Sequence, residues 1–378
     1  SWMWKILTLP FHREWKRRHS MPDFILQELP PPCDLETKSV PRQAVKASRA
    51  MAELKGISKT IPNQSILIST LPLLEAKDSS EIENIITTHD EIYKQELFRQ
   101  EIENPAAKEV SNYGEALRSG YDRVKQTGLL TNNQILEIQA ILEKNHAGYR
   151  KLPGTELKNQ NTGETVYIPP QNPSDIARLM DNLEIVVNDP DFWLIDPLIK
   201  MAVLHYQFES IHPFYDGNGR TGRILNILFL VKEGLLDLPI LYLSRYIIKN
   251  KSEYYSLLQR VRTEQSWEEW VLYLLTGVEE TALFTSQLIT QIRELMQNYK
   301  QRIRSELGLI YSQDLLNNLF RHPYTKIEYL ATELNKTRQT AAKYLDQLVE
   351  KGFLRKQQIW RQNYYINDPL FDLFLKAK

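Results

Sequence analysis

Residues 212–223 read HPFYDGNGRTGR: an imidazole, a carboxylate, three glycines, an amide and two arginines within twelve positions. Apolar runs flank this polar loop, LIKMAVLHYQF (198–208) before it and ILNILFLV (224–231) after it. Asp196-Pro197 reads as an N-cap followed by proline at the first helical position, so the first run is a helix reaching to about Ser210. The second run begins near Arg220 and stops at Gly234. Ile224, Leu225, Ile227, Leu228, Leu230 and Val231 cover most of its circumference, which predicts a central, buried helix. A polar loop between two such helices is a site with apolar walls.

The segment 217–222, GNGRTG, satisfies the spacing of the dinucleotide-binding fingerprint, but that fingerprint follows a strand inside a βαβ unit. Here a capped helix precedes it, which argues against that fold, and the absence of the Walker pattern excludes a Walker loop. The glycines keep a physical purpose. Gly217 and Gly219 around Asn218 let backbone N–H groups converge, at a helix start where the dipole favours an anion. Arg220 and Arg223 lie three apart and share a helix face suited to neighbouring phosphates. Asp216 is placed to hold a divalent cation, and His212 to take a proton from an incoming hydroxyl. The set suits attack on a polyphosphate; a buried polar turn with no chemistry is the alternative.

The bulk numbers set the frame. At 378 residues, with 42% hydrophobic and 25% charged residues, the chain is long enough for two or three domains with real cores. Lys plus Arg equals Asp plus Glu at 47 each, so no global charge calls for a polyanionic partner. The lone Cys33 excludes an internal disulfide framework and fits a reducing, cytoplasmic setting. No apolar run is long enough to span a membrane, and residues 1–19 carry aromatic and basic residues without a cleavage site.

Helical patterns dominate. Residues 29–41, LPPPCDLETKSVP, read as an extended lead-in. Residues 42–123 are helical with breaks near 61–63 and 104–105, and Thr131 caps a helix carrying Ile135, Ile138 and Leu142 on one face. In GTELKNQNTGETVYIPP (154–170), the Gly163 turn and alternating Thr165, Val166, Tyr167 and Ile168 predict a short hairpin. Long helical patterns follow from Lys251 to about Glu306. In the last segment Ile327, Leu330, Ala331 and Leu334, then Ala341, Leu345 and Leu348, fall at helical spacing. FLRKQQIWRQNYYI (353–366) then alternates as a two-stranded wing.

The loop resembles the signature of the Fic family, H-x-F-x-[DE]-G-N-G-R-x-x-R, at every fixed position from His212 through Phe214 to Arg223. The resemblance implies AMP transfer from ATP to a Ser, Thr or Tyr hydroxyl of a target protein or of the chain itself. It implies His212 as general base and Asp216 as the Mg2+ ligand. Gly217, Asn218 and Gly219 would form the anion nest, leading into Thr221 and Gly222, with Arg220 and Arg223 on the outer phosphates and Phe214 as an anchor. Residues 163–170 are similar to the family's flap, which would pair Thr165, Val166, Tyr167 and Ile168 with an extended target segment. LSRYI and EYYSLL after the central helix resemble the family's adenine side, which would make Tyr254 and Tyr255 available there, with Tyr255 the stacking candidate and plain helix packing the alternative.

SSEIEN (79–84) reads two ways. Ser80 and Glu83 have capping-box spacing. Ser79 and Glu83-Asn84 also match [ST]-x-x-x-E-[GN], the inhibitory-helix motif of Fic proteins, which implies that Glu83 pairs with Arg223 and excludes the γ-phosphate. In some relatives the same glutamate supports removal of AMP, so a de-AMPylating phosphodiesterase stays open. The last segment resembles a winged helix-turn-helix, with Arg338, Gln339, Thr340 and Lys343 exposed on its second helix and 11 Lys and Arg against 7 Asp and Glu from Tyr311 onward. DNA or a protein is its expected partner, and a homodimer stays open. A DNA-binding regulator with an ATP-sensing pocket is the rival; sensing does not need His212. The expected architecture is mainly α: an N-terminal helical region (1–130), a Fic-type core with a hairpin flap (131–284), a helical linker (285–310) and a winged helix-turn-helix (311–378).

Overall fold

The computed structural model describes residues 24–99, 104–159 and 162–376; the aromatic and basic stretch at 1–19 lies outside them. Helix α1 (Ser39–Ser58) starts three residues earlier than the proline-rich lead-in suggests, because Pro41 falls in the first turn, where its missing N–H is not needed. Helix α2 (Ser65–Ile82) follows the predicted break at 61–63. A break absent from the sequence reading comes at 83–88, after which α3 (His89–Leu97) starts from a capping box of Thr88 and Glu91. Helix α4 (Pro105–Thr127) begins at Asn104, whose side chain caps it, and ends at Gly128 with φ +70°. Helix α5 (Asn132–Glu143) has the expected Thr131 cap, with Ile135, Ile138 and Leu142 buried.

A two-stranded antiparallel hairpin, β1 (Leu157–Lys158) and β2 (Thr165–Tyr167), precedes α6 (Pro173–Asn188). Helices α7 (Pro197–Ile211) and α8 (Asn218–Lys232) are the pair that brackets the polar loop. Asp196 caps α7 by accepting from the Leu198 amide at 2.8 Å. All six apolar positions read for α8 are buried, and α4, α5 and α7 pack around it. Helices α9 (Ser244–Lys249) and α10 (Lys251–Glu264) close this bundle. Helix α11 (Trp267–Glu306) is 40 residues long, about 60 Å, and α1 lies along it. It runs without interruption through 284/285, the expected start of a helical linker.

The C-terminal part is α12 (Gln313–Arg321), β3 (Tyr324–Thr325), α13 (Ile327–Glu333), α14 (Arg338–Glu350), β4 (Arg355–Ile359), β5 (Gln362–Ile366) and α15 (Asp368–Leu375). The sheet order is β3-β5-β4, antiparallel throughout, so a helix–turn–helix is followed by the predicted hairpin wing. Exposed Trp360, with φ +49°, turns the wing. Among the described residues this part meets the rest at α2, α3 and α11. Tyr299 of α11 donates to the Phe353 carbonyl at 2.8 Å. Tyr93 of α3 lies buried among Tyr324, Phe371 and Phe374, with ring centroids 5.4, 5.9 and 6.4 Å away. Tyr324 also donates to Asp90 at 2.6 Å, and Lys326 to the Leu97 carbonyl at 2.8 Å. Among the described residues no helix is long and apolar enough to cross a membrane.

Candidate active site

The loop between α7 and α8 is braced from inside. Asn218 accepts from the Phe214 amide and donates to the Phe214 carbonyl, both at 2.8 Å, so its side chain closes the loop and leaves the nest to its backbone. Phe214 is fully buried against Tyr149 and Phe208. Arg150, buried and distant in sequence, donates to the carbonyls of His212 at 2.7 Å and Pro170 at 2.8 Å. That grip helps hold His212 in the left-handed region, φ 48° and ψ 58°, which a non-glycine residue adopts only when its surroundings impose it.

His212 is 7% exposed, and neither ring nitrogen closes a well-formed hydrogen bond. Burial, then the Arg150 and Arg262 charges, push its pKa down to about 3, against a small opposing pull from the Glu209 carbonyl. At neutral pH it is an imidazole with an available lone pair, the form a general base requires.

Arg223 is buried one turn into α8. Its Nε donates to the Ser79 hydroxyl at 2.7 Å, and its Nη2 to the Ser79 carbonyl at 2.9 Å and to Glu83 Oε1 at 2.7 Å. Burial works against its charge, but Glu83 and then the Tyr254, Glu209 and Tyr255 groups outweigh it and hold the guanidinium firmly protonated. Ser79 and Ser80 lie in the last turn of α2, not the first, so the capping-box reading of SSEIEN is excluded. The segment instead ends a helix. The Ile85 amide bonds the Ser80 carbonyl and the Asn84 amide the Glu81 carbonyl, both at 3.0 Å, a Schellman closure with Asn84 at φ 62°. This explains why Asn or Gly belongs after the glutamate, and it turns Glu83 toward α8. A Cβ placed on Gly219 would lie 2.3 Å from Glu83 Oε1, so a carboxylate oxygen already rests against the nest.

Arg220 departs from the expected arrangement. Both its amino groups are taken, Nη1 by Glu109 at 2.8 Å and Nη2 by Glu143 at 2.7 Å, and its side chain is 5% exposed. Asp216 is exposed at the mouth of the loop, and one of its oxygens accepts from the Gly217 amide at 2.8 Å. Among the described residues no three His, Cys, Asp or Glu side chains group as a ready-made metal cage. A lone exposed carboxylate beside an anion nest fits Mg2+, which takes one or two carboxylates and fills its shell with phosphate and water oxygens. Thr221 is fully buried, and Gly222 is packed so closely that an added Cβ would lie 2.5 Å from Glu209 Oε1.

Tyr255 is 4% exposed and meets Tyr254 edge to face at 5.0 Å, while Tyr254 Oη pairs with His205 Nε2 at 2.7 Å. The pair packs as wall. In the hairpin, Tyr167 is buried, donating to the Ser210 carbonyl at 2.8 Å beneath the Arg262 guanidinium, 3.9 Å from its ring centroid. Tyr167 therefore fastens the hairpin to the end of α7. Thr165 and Val166 are half-buried and Ile168 is 41% exposed, leaving these three toward the outside. Arg150, Glu109, Glu143 and Glu209 come to the site from elsewhere in the chain and carried no local spacing to mark them.

Three family profiles match in chain order: Fic/DOC family N-terminal over residues 42–122, Fic/DOC family over 129–230, and the C-terminal domain of SoFic-like protein adenylyltransferase over 295–370. The protein adenylyltransferase Fic of Aedes aegypti is 29% identical over 156 residues, 40% of this chain and 30% of that protein. Its namesake in Drosophila erecta is 31% identical over 150 residues, 39% of this chain and 29% of that protein. The matched region thus spans under a third of these relatives' length. A Fic family protein from Desulfovibrio desulfuricans shares the fold at TM-score 0.56 and 18% identity, covering 89% of this chain and 98% of the other. Fic-1 from C. elegans (residues 134–508) does so at TM-score 0.52 and 18% identity, covering 69% and 74%.

Proposed function

Because this chain belongs to the Fic/DOC family, we propose that it is a protein adenylyltransferase, moving AMP from ATP to a Ser, Thr or Tyr hydroxyl of a protein. The observation that carries this is His212: a buried, neutral imidazole with unengaged nitrogens at the foot of a glycine nest. His212 accepts the proton as the hydroxyl oxygen bonds to the α-phosphorus, while the bond to the bridging oxygen breaks and pyrophosphate leaves. The first-turn amides of α8 receive phosphate oxygens, since the opening N–H groups of a helix have no partner within it. Asp216 would hold Mg2+, whose chemistry when bound is to neutralise phosphate charge. Thr165, Val166 and Ile168 present the target by strand addition, with Tyr167 fixing the hairpin.

In the form described here the enzyme is restrained. Glu83 occupies Arg223 and lies against Gly219, where its charge excludes the outer phosphate of a productively bound triphosphate. The test of the activity is incubation with ATP labelled on either the α- or the γ-phosphate. Label on protein from the α-position alone, lost in His212→Ala, is the expected result; label from the γ-position overturns nucleotidyl transfer. The reverse reaction, removal of AMP, would use the same Glu83 to align water, and release of AMP from a pre-modified protein tests it. DNA binding by the C-terminal part rests on exposed Arg338, Gln339 and Lys343 of α14, and a salt-sensitive duplex shift is its measurement.

A further inference from the structure

The two arginines of α8 are both engaged by glutamates, yet the motif in SSEIEN accounts for only one of them. Arg223 faces Glu83. Arg220 faces Glu109 of α4 and Glu143, the last residue of α5. These two glutamates are not equivalent. Glu109 is 43% exposed at its side chain and Glu143 12%. Glu143 also lies across the start of the nest: a Cβ on Gly217 would meet its Oε1 at 2.2 Å and its Cδ and Cγ at 2.9 Å. Carboxylate oxygens therefore flank the nest at both ends, Glu143 over Gly217 and Glu83 over Gly219.

Resting on the adenylyltransferase reading above, we propose that Glu143 is a second latch on the nucleotide site, competing with nucleotide phosphates both for Arg220 and for the Gly217 end of the nest. Three facts support a latch over a plain structural pair. The oxygen that accepts from Arg220 is the same one that lies against Gly217, so one group blocks the arginine and the cradle together. Glu109 supplies a separate anchor for Arg220, so holding the arginine in place does not require a carboxylate against the nest. The environment disfavours a further negative charge there: burial, with Asp216, Glu109 and Glu83 nearby against the opposing Arg220 charge, pushes the Glu143 carboxyl up to about 7. An incoming triphosphate meets the same crowding, and removing one charge from it lowers the concentration of nucleotide needed.

The experiment uses the full chain carrying Glu83→Gly, so that the first restraint is absent, with and without Glu143→Gln. Glutamine keeps the shape and an acceptor oxygen for Arg220 but removes the charge. ATP is titrated in AMP-incorporation assays, and Mg·ATP binding is measured by calorimetry. The expected result is a fall in KM and Kd of about tenfold with kcat held within about twofold, the pattern of a removed ground-state obstacle. Glu115→Gln, a neighbouring carboxylate in an exposed pair with Lys144, should move KM by less than about twofold. An unchanged or raised KM in Glu143→Gln overturns the latch, as does an equal fall in Glu115→Gln. If Glu143→Gln does not fold, Glu143→Asp, which withdraws the carboxylate by one methylene, is read by the same criterion. A Glu83→Gly chain that neither binds ATP nor incorporates AMP defeats the adenylyltransferase reading itself; one that does both with an unmoved KM defeats only the latch.

Discussion

Glu83→Gly removes the carboxylate between α2 and α8 and leaves the rest of the Arg223 environment standing. Ser79 still holds that guanidinium through its hydroxyl and carbonyl at 2.7 and 2.9 Å, so the arginine stays in place for a phosphate. The size of the proposed restraint follows from the pair. Opposite unit charges about 4 Å apart, at an effective dielectric near 20, attract by about 4 kcal/mol. The Glu83 side chain is 24% exposed, which screens the pair, and halving the figure leaves about 2 kcal/mol. That is about a thirtyfold rise in the fraction of nucleotide bound productively, and a similar rise in initial rate at subsaturating ATP. The assay is incorporation of AMP from α-labelled ATP into the protein itself, with a thermal melt beside it to establish that the variant is folded. A folded Glu83→Gly chain labelling no faster than its parent refutes the reasoning, because the charge removed would then have opposed nothing.

His212 gives a pH test of its burial. Its pKa is near 3 in the native protein, against about 6.5 unfolded, so between these values the unfolded chain binds the extra proton and stability falls as the pH drops. His212→Ala removes this component: relative to the variant, the parent should lose about 2 kcal/mol between pH 6.5 and pH 5, read by denaturant titration. Gly217→Ala places a side chain at φ +76° and drives a Cβ into Glu143 Oε1. It should weaken ATP binding and cost about 1–2 kcal/mol of stability, part of it recovered in a Gly217→Ala, Glu143→Ala double variant, as calorimetry and melting would show. Tyr93→Ala opens a cavity among Tyr324, Phe371 and Phe374, and a loss of about 3–5 kcal/mol in chemical denaturation is expected.

What the sequence displayed was local. Thr131 and Asp196 announced their helices because a cap and the amides it satisfies lie within three residues. The polar loop between apolar helices stood out for the same reason. SSEIEN shows the limit of spacing, since serine and glutamate three apart describe a helix start as well as they describe this helix end. Arg150, Glu109 and Glu143 were not legible at all, as their partners lie 62, 111 and 77 positions away. A long-range ion pair leaves no periodicity. Helix α11 runs through 284/285 on a continuing apolar stripe, with Leu288, Ile289 and Ile292 buried, and such a stripe carries no mark of where one domain ends and the next begins.

Helix α3 begins six positions after Glu83, and one side of its hydrophobic pocket is built by residues more than two hundred positions later. Cutting the chain at 310 would therefore strip a wall from the N-terminal half rather than trim an appendage. Tyr93 and Phe98 would face water, and the short helix, robbed of its seat, could not persist by itself at nine residues. Glu83 would then hang from a frayed end, so a shortened protein reports on a loosened site, not on an isolated one.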